Sequence, residues 1–343
     1  MSVVLDEFNK QATTADVADI DRAINSRRSA IRKRLLIVGI AALVMSVFFL
    51  TYDALGAWAI IGPLRLSRLI ALVVVAVALS VATAVFQAVT RNRILSPSVM
   101  GFDSMFQLMA TASIFFFGSA TVGQVPNSVM FLINTALMTL VAVSLFLTVL
   151  RRGRSNVYLL VLVGIVVGTF FRSLTSLLST VMDPGEYLAV ADASTASFAV
   201  INTEALGVAT VLAVIALGYI WKRSPEWDIL TLGPDVARGL GLRYRREVRL
   251  ALTASTILVA SATALVGPLM FFGLLIVNIA VYACGSNQLR DLMLASGGIG
   301  IVVLVGGQAL LEHVLNQATI LPVILELVGG LLLLMMILRG TRR

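Results

Sequence analysis

Residues 69–86 read LIALVVVAVALSVATAVF, without one charged side chain. With its flanks the apolar block runs from about 66 to 90. About 20 apolar residues is the length that crosses a bilayer as an α-helix, because in lipid each peptide group must find its hydrogen bond inside its own helix. Similar blocks recur at about 35–52, 99–118, 128–150, 156–180, 204–221, 248–267, 270–284, 293–312 and 322–339. The chain therefore reads as an all-α, polytopic membrane protein with about ten transmembrane helices. Strands of a membrane barrel would be short and alternating, and no such pattern occurs. The seventh and eighth blocks meet at Gly267-Pro268, which predicts a tight bend with short or broken helices.

Composition supports this reading. Of 343 residues, 59% are hydrophobic and 13% charged, against about 25% charged in a soluble domain. One cysteine, Cys284, excludes an intrachain disulfide, and it reads as a small apolar filler. One cysteine and one histidine, His313, cannot build a zinc or haem site at ordinary ligand counts, so no cofactor is expected.

The net charge of +8 suggests nucleic acid until its placement is read. Residues 1–34 form a polar tail ending in Arg27, Arg28, Arg32, Lys33 and Arg34, too far in for a signal peptide. If that tail is cytoplasmic, ten spans put Arg91, Arg93, Arg151, Arg152, Arg154, the seven basic residues of 222–249, Arg290 and the C-terminal arginines on the same side. Only Arg65, Arg68 and Arg172 of the 26 basic residues fall elsewhere. The positive-inside rule then predicts both termini cytoplasmic, and no nucleic-acid partner is expected. The transmembrane domain spans 35–340.

Energy source separates the candidate functions. A P-loop needs Gly-Lys-[Ser/Thr], and none of Lys10, Lys33 and Lys222 follows a glycine. The chain should not hydrolyse ATP by itself, so it is not expected to be an enzyme. A proton-coupled secondary transporter would keep carboxylates at the midplane. Only Asp103 and Glu326 are candidate intramembrane acids, each within about a turn of a span end.

The segment Leu232-Gly233-Pro234-Asp235-Val236-Ala237-Arg238-Gly239-Leu240-Gly241 carries more information. Pro234 can start a short helix and Gly239 or Gly241 can end it. Such a helix suits docking into a groove on another protein; a plain basic connector is the alternative. The segment resembles the coupling loop of FecCD-type permeases, whose form is close to L-G-x-x-x-A-x-x-L-G. Leu232, Gly233, Ala237, Leu240 and Gly241 match it. Gly267-Pro268-Leu269-Met270-Phe271-Phe272-Gly273-Leu274 resembles that family's G-P-I-x-F-x-G-L, and Arg65-Leu66-Ser67-Arg68 with Gln87 and Asn92 resembles its R-x-P-R … Q-x-x-x-x-N-P-L. Ser67 departs from the usual Pro, and Arg93-Ile94 from Pro-Leu. Leu321-Pro322 opening the tenth span also fits.

The resemblance implies an ATP-binding-cassette importer for iron–siderophores, haem or cobalamin. It implies separate ATPase subunits below, a substrate-binding protein above, and a second permease subunit, identical or different. Met182-Asp183-Pro184-Gly185-Glu186-Tyr187 and Val277-Asn278 are similar to a branch for catecholate-type ferric siderophores. Leu232, Gly233, Asp235, Ala237, Leu240 and Gly241 would couple to the ATPase. Arg65 and Arg68 would meet glutamates of the binding protein, with His313 standing where the family often has a third arginine. Headgroup snorkelling is the alternative for both arginines. Arg172, Gln87 and Asn278 would line the translocation path. Arg172 lies about 24 Å along its span at 1.5 Å per residue; at that depth a guanidinium faces a cavity or a partner, so a structural ion pair is its alternative role.

Overall fold

A computed structural model describes residues 2–52, 58–152, 157–199, 201–313 and 320–340. The described residues form α-helices and one 3-10 turn, without strands. In chain order the helices are α1 (Ser2–Thr51), α2 (Trp58–Thr90), α3 (Phe102–Phe117), α4 (Ser119–Val122), α5 (Asn127–Arg152), α6 (Val157–Val181) and α7 (Pro184–Ser194). There follow α8 (Thr203–Leu230), α9 (Pro234–Gly239), α10 (Tyr244–Val266), α11 (Phe272–Cys284), α12 (Leu289–His313) and α13 (Leu321–Gly340). Seven of them, α1, α2, α5, α6, α8, α10 and α12, are long and apolar enough to cross a membrane. Shorter apolar helices, α3, α11 and α13, supply the remaining three expected blocks.

The stretch quoted first forms the middle of α2 and the axis of the molecule, packed against α8, α10, α11 and α12. Lipid chains are as apolar as leucine, so helices in a bilayer associate through close packing of small residues rather than through the hydrophobic effect. In α2, Ala71, Ala76, Ala78, Ala82 and Ala84 are buried. A Cβ at Gly273 of α11 would stand 2.1 Å from Thr83 Oγ1, and one at Gly300 of α12 would stand 2.6 Å from Ser80 Oγ. Ser255 of α10 adds a hydrogen bond to the Ala82 carbonyl at 2.8 Å.

Two helix boundaries differ from the sequence reading. No glycine or proline interrupts residues 2–38, and the tail continues into the first span as one 50-residue helix. Its basic stretch reaches the end of α11. Arg34 donates to the carbonyls of Cys284 at 3.2 Å and Ala283 at 3.5 Å, and Arg27 to that of Gly285 at 3.4 Å. These are C-terminal carbonyls that no helical N–H satisfies. Likewise, α8 runs past residue 221 to Leu230 despite Pro225. Proline leaves the carbonyl four residues back without its N–H. That carbonyl, of Trp221, accepts from Ser224 Oγ at 2.8 Å and Arg290 Nη2 at 3.5 Å. With α10 beginning at Tyr244, the expected connector 222–249 shortens to residues 231–243.

The ends of the helices sort onto two faces. Arg34 with Cys284, Arg93 with Asn287, and Arg290 with Ser224 tie together an arginine-rich face. On the opposite face Arg68 pairs with Glu312, Ser128 with Glu204, and the Ser119 N–H with Glu186 of α7. α7 lies between the apolar blocks at 156–180 and 204–221.

Candidate functional site

The short α9 projects from the arginine-rich face, and its geometry follows from its glycines. Gly233 precedes it at φ +100, and a Cβ there would stand 2.9 Å from Arg91 Nη1. Pro234 opens the helix. Gly241, at φ +81, closes it. Leu242 N–H bonds back to the Ala237 carbonyl at 3.0 Å and Gly241 N–H to that of Arg238 at 2.9 Å, the bonding of a left-handed glycine stop. Ala237 is completely buried, whereas Leu232, Val236 and Leu240, four residues apart, are 58%, 51% and 62% exposed. Asp235 is exposed and pairs with Arg238 at 3.5 Å. Behind α9 the buried Trp227 donates from Nε1 to Glu247 Oε2 at 3.2 Å, clamping α8 to α10. Asp228 Oδ1 accepts the Leu289 N–H at 2.7 Å and caps α12. The helix is thus seated on a rigid base and offers an apolar edge outward.

Residues 91–101 lead from this base into the interior. Gln87 Nε2 and Asn278 Nδ2 both donate to the Arg93 carbonyl, at 2.9 and 3.3 Å. Asn278 also bonds the Leu274 carbonyl at 2.8 Å. The structure brings these two expected path residues together as a brace on the loop, while Arg172 bonds elsewhere. Gln87 also lines a cavity of about 260 Å3 with Arg91, Arg93, Asp228, Thr231 and Asn287. Beyond the brace, Ser96, Met100 and Gly101 are buried. Irregular backbone at membrane depth is tolerated where protein covers it.

At Gly101, φ +90, the chain meets α6 so closely that a Cβ would stand 2.6 Å from the Gly168 Cα. α3 therefore begins part-way along α6, beside Arg172, whose Nη2 donates to Ser104 Oγ at 3.4 Å. Asp103, expected near a membrane edge because it starts a helix, is instead buried at this depth. Its Oδ2 has no hydrogen-bond partner among the described residues. The carboxyl takes a hydrogen bond from Ser98 and lies in the electrostatic field of Glu326 on α13 and, more weakly, of Arg172. Arg172 and Glu326 are both exposed on the surface of the chain. α13 approaches α11 closely here: a Cβ at Gly329 would stand 2.6 Å from Phe271 Cβ.

On the opposite face Arg65 donates to the carbonyls of Phe49, at 3.4 Å, and Tyr52. It thereby caps the end of α1, where a cation also suits the helix dipole. Arg68 lies 3.6 Å from Glu312 Oε1, which also accepts from Gln308 at 2.9 Å. Arg68 and Glu312 line a cavity of about 140 Å3 with Phe198, Gln308 and Pro322. His313 ends α12, and its side chain lies outside the described residues. Among the described residues no group of three or more His, Cys, Asp or Glu could hold a metal ion.

Seven helices long and apolar enough to cross a membrane, with shorter apolar helices among them, describe a multi-pass membrane protein. The chain belongs to the FecCD transport family, which matches residues 34–339. It is 38% identical to the petrobactin import system permease protein YclO of Bacillus subtilis, over 90% of this chain and 97% of that protein. It is 26% identical to the ferric enterobactin transport system permease protein FepD of Escherichia coli, over 81% of each chain. The fold is similar to that of an inward-facing metal-chelate-type ABC transporter, with a TM-score of 0.78 at 20% identity, covering 90% of this chain and 99% of that one.

Proposed function

We propose that the chain is the membrane-spanning subunit of an ATP-binding-cassette importer that carries a ferric siderophore, of catecholate type, into the cytoplasm. The observation that carries this reading is α9, a helix seated on its buried Ala237 with an apolar edge outward, on a chain of this family. Leu232, Gly233, Asp235, Ala237, Leu240 and Gly241 form the ATPase dock. The arginine-rich face and both termini are cytoplasmic by the positive-inside rule. Relatives named for petrobactin and ferric enterobactin support the cargo class, as does a guanidinium at depth. ATP binding would bring two ATPases together, move the α9 helices of two permease subunits, and open the path outward.

Uptake of radioactive iron complexed with a panel of siderophores, in a strain lacking this gene, tests the reading. Loss of uptake for one catecholate-type chelate, restored by the gene, is the expected result. Equal uptake of every chelate rejects it. Uptake that survives loss of the partner ATPase but stops with a protonophore would support the proton-coupled alternative.

Arg68 is half-buried on the opposite rim, and Arg65 beside it is engaged with α1; we assign both, with His313, to the binding-protein dock. Rim charges act through screened, long-range fields. Arg68→Glu is expected to slow binding-protein association about tenfold at low salt, with the difference shrinking as salt rises. Equal rates at every salt concentration, measured by surface-immobilised transporter in nanodiscs, would remove Arg68 from the dock.

A further inference from the structure

Arg172 and Asp103 pose a shared problem. The guanidinium is exposed along α6, and its hydrogen bond to protein goes to Ser104, the residue next to Asp103. The Asp103 carboxyl is buried and one oxygen is unpartnered. A carboxylate bonded only by the Ser98 hydroxyl and a guanidinium bonded only to the Ser104 hydroxyl are each costly to bury, and less so as neighbours. The glycine contact between Gly101 and Gly168 packs the start of α3 directly against α6, two residues from Asp103 and four from Arg172. Glu326, exposed on α13, adds a second carboxylate to the same region. A lone arginine would make the empty path a cationic trap. With Asp103 and Glu326 present, the path is not cationic until the arginine is released.

We propose that Asp103 is the resident counter-ion of Arg172, a positioning residue that compensates the guanidinium while the path is empty, and that an anionic chelate takes over that role during passage. This rests on the import reading above. The exchange moves no covalent bond. It lets an anion be met by a full positive charge and then released as the carboxylate reclaims it, so that affinity at mid-path stays low enough for turnover.

The test uses the complete transporter in nanodiscs for stability and in proteoliposomes for uptake, with a ferric tris-catecholate as probe. Asp103→Asn and Arg172→Gln, made singly, should each lower the thermal midpoint by several degrees, and the double variant should recover most of the loss. Additive losses would overturn the pairing, as would failure of Asp103→Asn to assemble in both backgrounds. If Asp103→Asn alone fails to assemble, Asp103→Glu, which keeps the charge, should assemble and transport; its failure would also count against the proposal. In uptake, Asp103→Asn frees the guanidinium. The half-saturating concentration should then fall about fivefold, at the low end of coupling between linked sites, and the maximal rate should fall with it. A merely structural role would lower the rate and leave half-saturation unchanged, which would overturn the exchange. Absence of any ferric tris-catecholate uptake by the unaltered transporter would reject the import reading, and the thermal cycle would still decide the pair.

Discussion

Val236→Asp is expected to abolish ATP-driven uptake while the subunit still inserts and folds. Val236 is the middle of the exposed edge Leu232, Val236, Leu240, and α9 presents nothing else apolar to a partner. A carboxylate there costs nothing in the isolated chain because the position is solvated. Beneath a docked ATPase it becomes a buried, unpaired charge, at about 3 kcal/mol or more, over a hundredfold in affinity. The ATPase should no longer co-purify. Ala237→Leu should reach the same end differently: Ala237 has no free surface, and a larger side chain forces α9 off its seat at about 1–3 kcal/mol. Asp235→Ala removes only a solvent-exposed pair with Arg238, worth at most about 1 kcal/mol, and should be nearly silent. Normal uptake by Val236→Asp would mean that the ATPase docks elsewhere.

Gly168→Leu is the second substitution with a large expected effect. A Cβ at Gly168 would stand 2.8 Å from the Gly101 Cα, and the atom in the way is backbone that cannot rotate aside. Gly101 cannot retreat cheaply, since it holds φ +90 and Met100 is packed against Gly164. α3 and α6 must separate, carrying Ser104 away from Arg172. Overpacking of this kind costs about 1–3 kcal/mol or more, and here it also disrupts the path. The expected outcome is loss of uptake with a lowered thermal midpoint of the purified complex. Gly207→Leu is a matched control, because a Cβ at Gly207 meets nothing within 4 Å. Equal behaviour of the two variants would show that the α3–α6 contact is dispensable.

The ten apolar blocks were legible because hydrophobic length is a one-dimensional signal, and α9 because its ends are written in Pro234 and Gly241. Depth was not legible. Asp103 looked like a residue near a membrane edge because it begins a helix, yet that helix begins beside Arg172. The clue was the small residues at Gly101, Gly164 and Gly168, whose spacing marks a close helix contact. The family resemblance placed Gln87 and Asn278 on the translocation path. Their amides converge on the Arg93 carbonyl, a pairing between residues 191 positions apart in the chain that no local pattern encodes. The continuity of α8 through Pro225 depended on Arg290 and Ser224 satisfying the Trp221 carbonyl. Such rescue from another helix overrides the breaker that a sequence reading respects.

The sole cysteine has a practical consequence. Cys284 is 2% exposed at the end of α11, and Arg34 covers its carbonyl. Thiol reagents react with accessible thiolates, so the native chain should be nearly silent to maleimide dyes and spin labels. Reporter cysteines placed at Asp235, where substitution is expected to be nearly silent, and at Gly207, where a Cβ meets nothing within 4 Å, would then be read against a dark background without first removing Cys284. The distance between the arginine-rich face and the opposite face could thus be followed through the ATP cycle with the native Cys284 in place.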